Sequence, residues 1–274
     1  MSISVEKQIY RCFSCQASGN VFTFLQEYKN ISFLEALRIL ATISNIEIDE
    51  LNQYKKNKYD EKALKIFEIN ALAKEYFMTI LQTSDGIDAK SYLLKRNINE
   101  LLIEKFSIGL SPKNNALFLY FKEKGYATHD LLLAGLITQQ DDKFIDYFHN
   151  RIMFAIYDLD NNIVGFSSRV YQENRNPKYL NNVETKYFHK KNILYNLNQA
   201  QHYVKKTESV IICEGFMDVI SLSKIDINNV VGLMGTNLTI EHQHLLKKFT
   251  NNIILFLDGD EAGIQATFKL TIIL

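Results

Sequence analysis

The chain has 274 residues, 31 basic against 31 acidic side chains and a net charge of +0, with 47% hydrophobic and 23% charged residues. That is an ordinary globular mix, long enough for one large domain or two modest ones, and it excludes a disordered or collagen-like chain. No apolar run is long enough to span a bilayer, the polar start MSISVEKQ is no signal peptide, and three cysteines are too few for a disulfide scaffold. A cytoplasmic protein with no membrane association is expected. The neutral sum leaves nucleic-acid binding open, since basic and acidic groups can segregate.

In chain order, a short aromatic strand leads into the knuckle Cys12-Phe13-Ser14-Cys15, and Gly19-Asn20 turns the chain into a helix beginning near Val21. Ser32 with Glu35 forms a capping box for a second helix. The polar stretch 52–61, NQYKKNKYDE, reads as a linker. Leu64, Phe67, Leu72, Phe77 and Ile80 recur at helical spacing and predict one long helix over Glu61–Leu81, with another over 86–95. Short helices are expected over 97–110 and 128–135, and strands over Ala116–Phe121, Arg151–Tyr157 and Ile163–Val170, the last two joined by the turn Asp158–Asn162. After residue 207 strand and helix alternate: strands at Val210–Cys213, Val230–Met234 and Ile253–Leu257, helices at Met217–Leu222, Ile240–Phe249 and Ala262–Leu274. Such alternation predicts a parallel α/β sheet.

Three acids follow two of those strands: Glu214 in IICEGFMDVI, and Asp258 with Asp260 in IILFLDGDEAG. Ligands bind at the carboxyl ends of strands in open α/β sheets. Clustered carboxylates there are hard-oxygen donors suited to Mg²⁺ (or Mn²⁺), and two-metal phosphoryl transfer needs such a set. The plainer account is a pair of helix caps. Asp218, four residues after Glu214, is either a supporting carboxylate or a helix-start acid; Gly235-Thr236, after the middle strand, is either a phosphate contact or a turn with an N-cap. Upstream, Arg151, Arg169, Arg175, Lys178, Lys186, Lys190 and Lys191 are interleaved with Tyr179, Tyr187 and Phe188. Cations hold phosphates and aromatic faces stack bases, the combination that binds single strands; a solvated charged face is the plainer account. Cys12 and Cys15 supply half of a four-ligand zinc site, or a redox pair. Cys213, inside a strand, reads as core, and His149 and His189 as structural groups.

Here the sequence resembles a known family. EGFMDVI, LMGTNLT and FLDGDEAG, in this order, resemble the TOPRIM domain of the bacterial DNA primases. YFHNRIMFAIYD, NIVGFSSRV and NPKYLNNVETKYFHKKNILYNLNQA resemble their polymerase core, and YRCFSCQASGNVFTFLQ the second half of their zinc-binding domain. The resemblance implies a partial zinc-ribbon-like segment at 1–51, a linker at 52–61, a mixed α+β subdomain of the polymerase core at 62–206 and a truncated TOPRIM-type parallel α/β sheet at 207–274. It implies template-directed synthesis of short RNA primers on single-stranded DNA from ribonucleoside triphosphates with Mg²⁺, by a monomer that meets a replicative helicase through a domain this chain lacks. By motif match Glu214, Asp258 and Asp260 are the catalytic metal-site acids. Arg151, Lys178 and Lys190 hold phosphates, with Arg169 in the same series; Asn181 lines the site, and Cys12 and Cys15 are two of four Zn²⁺ ligands. Three departures stand out: His149 replaces an arginine, Ser167-Ser168 replaces Gly-Gly, and the first zinc knuckle and the rest of TOPRIM are missing. An internal piece of a primase with impaired activity is therefore expected. A non-catalytic single-strand-binding remnant and a TOPRIM nuclease are the alternatives.

Overall fold

In the computed structural model, residues 1–29, 33–44, 46, 58–172, 176–235 and 238–273 are described. The Ser32 cap, Arg175, Thr236 and most of the expected linker fall outside them. The chain divides into two compact units, Met1–Lys58 and Tyr59–Leu274.

The smaller unit opens with β1 (Ser2–Ser4), β2 (Ile9–Arg11) and β3 (Ser18–Gly19), an antiparallel sheet in that order, followed by α1 (Val21–Lys29) and α2 (Phe33–Ile43). Asn20 starts α1 by accepting the Thr23 amide at 3.0 Å. Tyr10 is the buried residue of β2, edge-on to Phe24 of α1 at 5.2 Å, and its hydroxyl donates to Glu27. Cys12 and Cys15 lie on the β2–β3 turn, closed by a bond from the Cys12 amide to the Ala17 carbonyl.

The larger unit begins with α3 (Glu61–Gln82), started where Asp60 accepts the Ala63 amide. Its buried residues Ala63, Ile66, Phe67, Ile69, Ala73, Phe77 and Leu81 keep the helical spacing read from the sequence. Then come α4 (Ile87–Lys95), α5 (Glu100–Lys105), β4 (Ile108–Leu110), α6 (Ala116–Glu123) and α7 (Thr128–Leu133). The hairpin β5 (Ile137–Gln140) and β6 (Lys143–Asp146) leads to β7 (Ile152–Tyr157), β8 (Ile163–Arg169) and β9 (Tyr179–Asn181).

Strands β4, β7, β8 and β9 form an antiparallel sheet in the order β4-β7-β8-β9. It is buried on both faces. Ile152, Phe154 and Ile156 of β7 point into one core cluster, Met153 and Ala155 into another, which is the two-residue period of a strand. Coverage on both sides explains why β7 reads as a continuous apolar run. Gly109 lets β4 approach α3, since a Cβ there would stand 2.5 Å from the Phe77 Cβ.

Two expectations are corrected. The strand expected over Ala116–Phe121 is the helix α6. Its first free amides, those of Leu117 and Phe118, are held at 3.1 and 2.8 Å by the Asp146 carboxylate, which arrives from β6. Residues 97–110, expected as helix throughout, end in strand β4, because Ile108–Leu110 pairs with Phe154–Ile152. The hairpin β5–β6 carried no expectation at all.

The last third alternates α8 (Leu197–Thr207), β10 (Val210–Cys213), α9 (Phe216–Ser223), β11 (Val230–Gly232), α10 (Ile240–Leu246), β12 (Ile253–Leu255) and α11 (Glu261–Ile273). The strands form a parallel sheet in the order β11-β10-β12, so the expected α/β alternation stands. Tyr195 pairs antiparallel with Gly232 at the far edge of β11, its amide 2.9 Å from the Gly232 carbonyl. Fully buried Tyr195 and the residues Phe154, Cys213, Val219 and Val230 share one core cluster. No helix among the described residues is long and apolar enough to cross a membrane.

Candidate functional site

Parallel pairing of β10 with β12 sets Ile211 beside Ile254 and Ile212 beside Leu255. The residues that follow these strands therefore emerge side by side. Glu214 leaves β10 and its carboxylate accepts the Asp258 amide at 3.1 Å. Gly263 allows this approach: a Cβ there would meet the Asp258 carbonyl at 2.0 Å and Glu214 Oε1 at 2.9 Å. A cleft of about 330 Å³ opens at this point, lined by Glu214, Asp218, Gly235, Asp258, Tyr179 and Asn181 among others.

Two of the acids also cap a helix. Asp218 accepts the Gly215 amide at 3.1 Å at the start of α9. Asp260 accepts the Gly263 amide at 2.8 Å at the start of α11. The helix-cap reading therefore holds for Asp218 and Asp260. Burial pushes the Glu214 carboxyl above its ordinary range, and the charges of Asp258, Asp260 and Asp218 push it further. Asp218 is raised for the same two reasons, burial first and then Asp258.

Crowded carboxylates of this kind are what a divalent cation relieves, and every donor is a hard oxygen. On that chemistry the set fits Mg²⁺. Among the described residues, however, no three His, Cys, Asp or Glu side chains converge closely enough to hold an ion; Glu214 is turned onto the Asp258 backbone instead.

The basic series divides. Arg151 and Arg169, each 4% exposed, are interior residues rather than part of a solvated face. Arg151 donates to the Pro177 carbonyl at 2.7 Å and so braces the segment that carries Lys178. Arg169 donates to the Tyr179 hydroxyl and lies 4.8 Å from that ring. Lys178 is exposed, its ammonium 5.7 Å from the Tyr179 ring. Asn181 is fixed by the Ser167 hydroxyl at 2.5 Å and reaches the Met234 carbonyl at 3.4 Å, so the serine standing for a glycine in SSR orients a cleft residue. Cys12 and Cys15 belong to the other unit. The Cys12 thiol is held below its usual range, chiefly by the Cys15 amide, which favours the thiolate a metal takes. Cys213 is a core residue, its thiol pushed up to about 12 by burial.

Lys190 sits on a short 3₁₀ turn, Lys190–Asn192, outside the cleft lining. Sequence reasoning missed what holds it. His242 of α10 is 3% exposed; its Nε2 meets the Lys190 and Ile193 carbonyls at 2.9 and 3.0 Å while Nδ1 accepts the Thr239 amide. The Thr239 hydroxyl donates to the Lys191 carbonyl at 2.8 Å. Thr239-x-x-His242 is a capping-box spacing, a usable signal had histidine been counted among the capping residues.

These bonds require a neutral imidazole. Burial holds His242 below its ordinary value, so its contribution is complete above the unfolded value of about 6.5 and is lost as pH falls below it. Thermal midpoints should drop between about pH 7.5 and about pH 5.5, and His242→Gln should flatten that dependence. An equal pH slope in both proteins would contradict the assignment.

Comparison with known proteins adds the following. Family profiles described as DNA primase catalytic core N-terminal domain, Toprim domain and CHC2 zinc finger match residues 76–201, 208–273 and 1–56. The DNA primase of Listeria monocytogenes is 38% identical over 98% of this chain and 44% of its own length; that of Staphylococcus epidermidis is 41% identical over 98% and 46%. The chain thus spans under half the length of these relatives. A structure of the DnaG primase catalytic domain bound to single-stranded DNA superposes with a TM-score of 0.71 at 32% identity, covering 77% of this chain and 67% of that one. The zinc-binding and RNA polymerase domains of the Aquifex aeolicus primase give 0.70 at 28% identity, covering 97% and 64%.

Proposed function

Because this chain belongs to the DNA primase family, we propose that it carries the template-reading and nucleotidyl-transfer site of an enzyme that makes short RNA primers on single-stranded DNA. The observation that carries this is the acidic cleft whose rim is Tyr179 and Asn181, beside Lys178. Glu214, Asp258 and Asp260, with Asp218 in support, would hold Mg²⁺ or Mn²⁺, which when bound stabilises the charge that develops on the transferred phosphate. Lys178, Lys190 and Gly235, with Thr236 beyond the described residues, would take phosphates. Arg169 and Asn181 would orient the strand, and Arg151 would hold the Lys178 segment in place. Cys12 and Cys15 would hold zinc at residues 1–51. The functional division 1–51, 52–61, 62–206 and 207–274 is part of this proposal, as are action in the cytoplasm as a monomer and a replicative helicase as partner.

The test is Mg²⁺-dependent incorporation of labelled ribonucleotides on single-stranded DNA. Incorporation by this chain is expected to be weak, since its carboxylates do not converge, so the assay is read against Glu214→Gln. Salt-sensitive DNA binding without incorporation would favour the non-catalytic remnant; Mg²⁺-dependent strand cleavage would favour the nuclease. Absence of both binding and incorporation would sink the proposal.

A further inference from the structure

Two adjacent serines of β8 are both 0% exposed, and they do different things. The Ser168 hydroxyl donates to the Leu180 carbonyl at 3.0 Å, the ordinary way for backbone to satisfy a buried hydroxyl. Ser167 donates instead to a side chain, Asn181 Oδ1, at 2.5 Å. The strand register accounts for the difference. The Asn182 amide bonds the Phe166 carbonyl, and the Val170 amide the Lys178 carbonyl. Ser167 and Asn181, directly opposite each other, are therefore a non-hydrogen-bonded pair, the kind in which side chains stand closest. A glycine, the residue that Ser167 replaces in the primase pattern, could make no such bond.

This bond decides which end of the Asn181 amide faces which way. An asparagine side chain has a donor end and an acceptor end, and its partners settle the orientation. The Met234 carbonyl, 3.4 Å from Asn181 Nδ2, can only accept. Nδ2 therefore lies on the Met234 side and Oδ1 on the Ser167 side; the reverse would set two acceptors against each other. The Asn181 backbone is held as well, its carbonyl accepting the Tyr147 hydroxyl at 3.4 Å. Met234 stands two residues after β11 and lines the cleft beside Gly235, where an added Cβ would meet nothing within 4 Å. Ser167, Asn181 and the Met234 carbonyl thus form a chain of bonds from the antiparallel sheet to the end of the parallel one. One Nδ2 proton is engaged by Met234, and the other is left for an acceptor oxygen in the cleft that Asn181 lines.

We propose that Ser167 is a positioning residue for this cleft: by holding Oδ1 it presents the Asn181 amide donor to an acceptor oxygen of the bound strand. The proposal rests on the single-stranded-DNA role proposed for the cleft. Ser167 is itself buried away from any ligand and acts only through Asn181.

The experiment is anisotropy of a labelled oligodeoxynucleotide with the full chain, for the parent, Ser167→Ala, Asn181→Ala, the double variant and Ser168→Ala, with a melting temperature for each. Ser167→Ala should weaken binding by about 3- to 10-fold, the worth of one neutral hydrogen bond. Asn181→Ala should weaken it at least as much, and the double variant no further, because the two residues act as one unit. Ser168→Ala, which loses only a bond to backbone, should lower the melting temperature and leave affinity unchanged. The Asn181 side-chain amide gives a second readout: its proton resonances should move in Ser167→Ala and stay in Ser168→Ala. Should Ser167→Ala not fold, Ser167→Gly takes its place with the same expectations. Additive losses in the double variant, equal losses in Ser167→Ala and Ser168→Ala, or full affinity in Ser167→Ala while Asn181→Ala weakens binding each overturn this inference alone. Full affinity in Asn181→Ala overturns it too, by removing Asn181 from contact with the strand, and a parent that binds no DNA overturns the reading of the cleft itself.

Discussion

Glu214→Gln should lower ribonucleotide incorporation by at least about 100-fold while leaving the protein as stable as its parent or more so. The first half follows from charge. A carboxylate that helps bind a divalent ion contributes several kcal/mol to the transition state, and each ~1.4 kcal/mol is a factor of about ten. The second half follows from the sign of its shift. Burial, with Asp258, Asp260 and Asp218 nearby, raises the Glu214 carboxyl in the folded chain. Its ionised form is therefore less favourable folded than unfolded, so ionisation costs stability above the folded value and costs nothing below the unfolded one. The neutral amide removes that cost near pH 7 and still lets an oxygen accept the Asp258 amide. Mg²⁺ gives a readout independent of turnover: it should raise the parent's melting temperature by mass action and raise the variant's less. A variant that melts lower than the parent, or one that keeps both its turnover and its Mg²⁺ shift, would remove Glu214 from the proposed site.

Asp146→Ala should destabilise the larger unit by about 2–4 kcal/mol, a large loss for a single polar side chain. Asp146 is 0% exposed and its two oxygens take the Leu117 and Phe118 amides. Alanine leaves two buried donors unsatisfied at about 1–3 kcal/mol each, and removes an acid from the positive end of a helix. The folded protein already pays part of this back, because burial raises the Asp146 carboxyl despite both amides. Asp146→Asn keeps an acceptor and should lose less. Urea unfolding of the three proteins measures this; a loss under about 0.5 kcal/mol for alanine would show that α6 is held by packing alone.

The same residue explains where sequence reasoning failed. ALFLYF reads as a strand because it is apolar and aromatic and because its cap is not local: Asp146 lies 30 positions on, in a hairpin whose turn gave no Gly or Pro signal. Beyond residue 207 each strand and helix is specified within about ten residues, and those elements were legible, although the Thr239 cap of α10 was not. That Glu214 and Asp258 leave the same end of one sheet was legible too, since every strand of a parallel sheet ends at that edge; their direct adjacency comes from the order β11-β10-β12, in which the third strand, not the second, lies beside β10 on that side. The burial of Arg151 and Arg169 was not, because it depends on β4 and β9 flanking β7 and β8, and a basic residue's letter says nothing about what pairs beside it.

The Tyr195–Gly232 pairing has a consequence for how this chain comes apart. The family profiles meet near residue 201–208, but the core does not divide there: Phe154 of β7, Tyr195, and Cys213 and Val230 of the parallel sheet lie in one cluster. Units recognised by homology and units that unfold cooperatively are different partitions of one polypeptide. Here the evolutionary seam cuts one of two cores: Cys213 and Val230 face the cluster shared with β7, whereas Ile212, Val231 and Leu246 face a cluster of the segment's own, so loss of the neighbouring strands would strip one face of the parallel sheet and leave the other packed.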